Sequence, residues 1–131
     1  MTGIPQGEDI LAFLDREIAA RETAARDADQ GHWSVSNSGY EEWDAGVDSS
    51  SNDGGAVANC CIEEARHIVL NDPESVLRRC AADRKLIYEV RRTAYNAKSR
   101  PWDPMCGPYA DAMLAAAKVV AEGYGWTESE R

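Results

Sequence analysis

A long basic segment fenced by two prolines constrains this chain most. Between Pro73 and Pro101 there is no further proline and no glycine, and Val76, Leu77, Cys80, Ala81, Ile87, Val90 and Ala94 recur at helical spacing. A proline discourages helix in the residue before it and suits the first helical turn, so Asp72 is placed as an N-cap and Pro73 as the opening residue. The spacing predicts a helix over 74–97, with Tyr88 and Tyr95 at the border of its apolar side. Residues 76–100 carry eight basic against two acidic side chains, whereas 1–75 carry four against sixteen and 101–131 two against five. A chain of net charge −9 therefore contains one helix at +6. Either unlike surfaces meet inside the fold, or faces of opposite sign are offered to partners.

The rest of the chain divides around that helix. Ile10, Leu11, Leu14, Ile18 and Ala25 predict an amphipathic helix over 8–28, with Asp15, Arg16, Glu22 and Arg26 largely on the other side. From 32 to 60 the pattern alternates in the manner of strands, punctuated by glycines, which predicts a small antiparallel sheet. Residues 48–55 offer turn formers and no apolar anchor, and read as an exposed loop. Asn71-Asp72-Pro73 ends a short helix over 62–70. A last helix over 107–122 places Tyr109, Met113, Ala116 and Val120 on one side, with Gly123 stopping it ahead of an aromatic tail, Tyr124-Gly125-Trp126. The expected fold is α+β: one domain over 1–131, with four helices and a small antiparallel β-sheet or hairpin inserted after the first.

Several function classes can be set aside on these grounds. No apolar run approaches the roughly 20 residues of a membrane span, and residues 1–9 lack the basic start and apolar core of a secretory signal. Both point to the cytoplasm, where Cys60, Cys61, Cys80 and Cys106 are expected as thiols. Calcium binding at the loop fails on spacing. Counting from Asp48, Asp53 stands where the calcium-binding turn needs glycine and Asn59 where it needs glutamate.

The central block His67-Ile68-x-x-x-Asp72-Pro73-x-x-Val76-Leu77-Arg78, continued by Arg84-Lys85-x-Ile87, resembles a small family of uncharacterised proteins from actinobacteria and their phages. Leu11-x-Phe13-Leu14, Trp33 and the closing Tyr124-Gly125-Trp126 are similar to the ends of the same family. The middle loop and the Cys60-Cys61 pair fall outside its pattern. The resemblance implies an actinobacterial or phage origin and adds no catalytic residues to the reading.

Three candidate sites remain. The first is an acidic face, Glu41, Glu42, Asp44, Asp48 and Asp53, docking on a basic protein; in its sharpest form it imitates the DNA backbone. The second is the basic helix, in which Arg78, Lys85 and Arg92 repeat every seven residues, as do Arg84, Arg91 and Lys98. Two neighbouring cationic stripes could hold phosphates, or could pair internally with Asp15, Glu22 and other acids of the first helix. The third is a small metal or thiol site at Cys60, Cys61 and His67. Zinc would be its metal, although no C-x₂₋₄-C pair is present, and a thiolate near a helix start could act as nucleophile. No third residue orients such a pair. The expectation is a non-enzymatic interaction protein with a protein partner and no cofactor. Homodimerisation stays open, and any tryptophan of Trp33, Trp43, Trp102 and Trp126 left exposed would mark a contact surface.

Overall fold

A computed structural model of the chain describes residues 6–28, 33–37, 45–49, 55–60 and 62–127. The elements are α1 (Gln6–Asp27), β1 (Trp33–Asn37), β2 (Ala45–Ser49), β3 (Gly55–Cys60), α2 (Ile62–Val69), α3 (Pro73–Ser99) and α4 (Cys106–Gly123). The fold is α+β, with four helices and a small antiparallel sheet between the first and second. Its described residues group into two compact units, one formed by 1–20 with 81–131 and the other by 21–80.

In the 21–80 unit the sheet is an antiparallel meander of order β1-β2-β3. Val35 pairs with Val47, and Val47 with Ala58, before a register shift between Val47 and Asp48. Because side chains alternate along a strand, Val47 and Ser49 share the covered face, and both are fully buried. Helix α2 lies over all three strands. Its Ala65, with Ile68 and Val69 beside it, closes on Val47 and Trp33. Strand structure extends into the span expected as loop: Asp48 and Ser49 end β2 and Gly55 opens β3, while 50–54 lie outside the described residues.

Helix α3 begins as its sequence requires. Asp72 is buried, its Oδ1 accepts the Ser75 N–H at 2.8 Å, and its carbonyl accepts the Val76 N–H. One acid thus satisfies two donors that the first turn would leave unpaired.

The other unit joins the first part of α1 to the rest of α3 and to α4. Ile10, Leu11, Leu14 and Ile18 are all buried, as expected, and Phe13 joins them. Ile87 and Val90 close the core from α3. In α4 the buried positions are Ala117 and Ala121, one residue out of phase with the expected side: Ala116 and Tyr109 are exposed, Met113 and Val120 half-buried. Small side chains let helices approach closely, and a Cβ on Gly7 of α1 would meet Leu114 of α4 at 3.1 Å.

The helix stop also differs from expectation. Gly123 is still helical, and Gly125 adopts φ +104°. Trp126 N–H then reaches the Ala121 carbonyl and Gly125 N–H the Glu122 carbonyl, the paired bonds of a left-handed helix cap. This reversal turns the tail into core. Trp126 is buried with its ring edge-on to Phe13, centroids 5.2 Å apart, and Tyr124 donates its hydroxyl proton to Asp83.

Candidate functional site

The two cationic stripes of α3 have different surroundings. Arg84 and Arg91 converge on one carboxylate of α1: Asp15 Oδ2 accepts from Arg91 at 2.8 Å, and Asp15 Oδ1 lies 3.9 Å from Arg84. Seven residues are two helical turns, so both guanidiniums point to the same side and a single acid between them meets both. Lys98, the third member, has no ion pair recorded among the described residues. It stands with Arg91 at the rim of an apolar cavity of about 470 Å³ floored by Leu11, Val90, Ala94 and Leu114, with Glu8 and Asp111 also lining it. The polar side chains that line it are Glu8, Arg91, Tyr95, Lys98 and Asp111, so the cavity offers apolar packing surface with charge of both signs around it.

The neighbouring stripe turns outward. Arg78 pairs with Glu74 of its own helix at 3.1 Å, not with α1, and Arg92 pairs with Glu89 at 2.6 Å. The Glu89 hydrogen bond and charge hold the Arg92 guanidinium above its ordinary value, with smaller contributions from Tyr109 and Tyr88. Lys85 is exposed and, like Lys98, has no ion pair recorded among the described residues.

Of the acidic face, Glu41, Glu42, Asp44 and Asp53 lie outside the described residues. Asp48 is in β2, half-buried, opposite Ser34 and Ala56. Of the metal or thiol set, Cys61 also lies outside, Cys60 ends β3, and His67 is exposed on α2, where its carbonyl accepts the Asn71 side-chain amide. Among the described residues, no three His, Cys, Asp or Glu side chains are grouped to hold a metal ion. Cys80 is buried, and a buried thiol packs as a small hydrophobe. Cys106 is half-buried, and its thiol is pushed up from its ordinary value by desolvation first and then by Asp103.

A family described as "Family of unknown function (DUF6221)" matches residues 7–124, from the first turn of α1 to the tyrosine after α4. The chain belongs to that family. The match takes in both DUF6221 units described above, including the Asp72-Pro73 helix start and the Asp15 bracket. No curated protein and no solved structure matches the chain.

One feature of this DUF6221 protein is only half-visible in its sequence. Tyr88 and Tyr95 are not border residues but stand 65% and 70% exposed. Their seven-residue spacing was the available signal. The exposure of Tyr109 and Met105 had none.

Proposed function

We propose that this DUF6221 protein is a non-enzymatic acidic interaction protein whose acidic N-terminal half docks on a basic surface of a protein partner. The observation that carries the reading is the Asp15 bracket: Arg84 and Arg91, centre of the one basic helix, are engaged by a carboxylate of the same chain. With Arg92 held by Glu89 and Arg78 by Glu74 as well, much of the cationic charge is answered internally, and a protein at −9 meets other molecules mainly as an anion. Glu41, Glu42, Asp44, Asp48 and Asp53 supply the docking charge. The protein works in the cytoplasm of an actinobacterium or as the product of its phage; the abundance of Ala, Arg, Asp and Glu supports that setting.

The test is affinity capture from an actinobacterial lysate, using the wild-type chain and a variant with Glu41, Glu42, Asp44 and Asp53 changed to lysine. A basic protein held at low salt, displaced by added duplex DNA and lost with the variant is the expected result. Equal capture by the variant refutes the acidic face. Capture abolished by nuclease assigns the binding to α3 and nucleic acid instead.

A further inference from the structure

The cavity of about 470 Å³ beside the Asp15 bracket is lined from α1, α3 and α4, entirely within the unit formed by 1–20 with 81–131. Its volume falls in the range of small-molecule sites, about 300 to about 1,000 Å³. The floor is hydrocarbon: Leu11 and Val90 are 3% and 2% exposed, and Ala94 and Leu114 complete it. Charge is sorted by wall. Both cations, Arg91 and Lys98, come from α3, whereas the two acids, Glu8 and Asp111, come from α1 and α4. Arg91 is already held by Asp15. The side chains of Glu8, Lys98 and Asp111 form no ion pair among the described residues, although all three line one cavity, so the Lys98 ammonium stands across the opening beyond reach of either carboxylate. Opposite charges held apart over an apolar floor are answered together only by a molecule that carries both signs.

We propose that this cavity binds a small zwitterion with a hydrocarbon body, either a free amino acid of the leucine type or a short apolar peptide. The ligand's carboxylate meets Lys98, with the Tyr95 phenol as a further donor, and its ammonium meets Glu8 and Asp111, as charge-assisted hydrogen bonds. Its hydrocarbon covers the Leu11 and Val90 floor and is removed from water there. Other ligand classes are answered on one wall only. A simple anion gains Lys98 but meets two carboxylates; a simple cation gains the carboxylates but meets Lys98 and Arg91. An uncharged apolar molecule covers the floor and leaves the three unpaired charges without partners. This site stands independently of the acidic-face reading, which uses none of its residues.

Titration calorimetry of the whole chain tests it, with leucine and trileucine as probes. At least one of them is expected to bind with a dissociation constant below about 1 mM, and the tighter of the two identifies the source as free amino acid or peptide. Isocaproate, which is leucine without its ammonium, and isopentylamine, which is leucine without its carboxylate, should bind about tenfold more weakly or worse than leucine. Lys98→Ala and Asp111→Ala, at exposed positions, keep the circular dichroism of the wild type and weaken zwitterion binding by about tenfold each. Ala94→Phe fills the cavity and abolishes binding, whereas Ala82→Phe, exposed on the same helix and outside the cavity, binds as the wild type does. No binding of either zwitterion up to about 10 mM overturns the proposal. So do single-charge analogues that bind as tightly as leucine, or an Ala94→Phe chain that binds like the wild type.

Discussion

Replacing Asp15 with alanine separates internal neutralisation from an available cationic face. Arg91 is 2.8 Å from Asp15 with side chains 45% and 38% exposed, while Arg84 lies at 3.9 Å, near the limit of an ion pair. Exposed pairs of this kind contribute about 0.2–1 kcal/mol each, so the coupling between Asp15 and Arg91 should fall in the upper half of that range and that with Arg84 in the lower. Together they put Asp15→Ala at about 1 kcal/mol, a fall in Tm of a few degrees for a domain of this size. The assay is a double-mutant cycle over Asp15→Ala and Arg91→Ala by urea denaturation, repeated with Arg84→Ala. At about 1 M salt, where the screening length is about 3 Å, the coupling should shrink by half or more. Couplings indistinguishable from zero in both cycles at low salt would refute the reasoning: the guanidiniums would then be free to meet phosphates.

Other substitutions test the fold that holds this bracket. Leu14→Ala empties a fully buried site in α1 and should cost about 2–5 kcal/mol; Val119→Ala, at a position 67% exposed, should stay within about 0.5 kcal/mol, both by denaturant titration. Asp72→Ala removes the acceptor of the Ser75 N–H and should cost about 1–2 kcal/mol, whereas Asp72→Asn keeps that acceptor and should cost about 0.5 kcal/mol or less; equal losses would deny the cap its role. For Cys106, desolvation and Asp103 both disfavour the thiolate, so alkylation mapped to its peptide should begin at higher pH than for a free thiol. Asp103→Asn should move the onset down, and an unchanged onset would remove the contribution assigned to Asp103.

How far the sequence foretells this protein depends on whether one face of each element is chemically distinct. Helix α1 is unambiguous, because Ile10, Leu11, Leu14 and Ile18 stand among charged neighbours, and these four are buried. Helix α4 is not. Met113 to Ala121 is apolar on nearly every side, so periodicity has little to choose from, and close packing of small residues selects Ala117 and Ala121. Gly123 and Gly125 are likewise equivalent stops on paper until Trp126 has to reach Phe13, which the left-handed turn at Gly125 permits.

The candidate sites follow the same logic at the level of charge. The stripes Arg84–Arg91 and Lys85–Arg92 share one seven-residue repeat and differ by a single residue, about 100° around the helix. That rotation takes one toward Asp15, seventy-six positions before Arg91, and leaves Arg92 of the other on Glu89 of its own helix. A local pattern records that a helix carries two cationic stripes. Only the tertiary placement of one distant carboxylate makes one stripe a strut and leaves the other as surface.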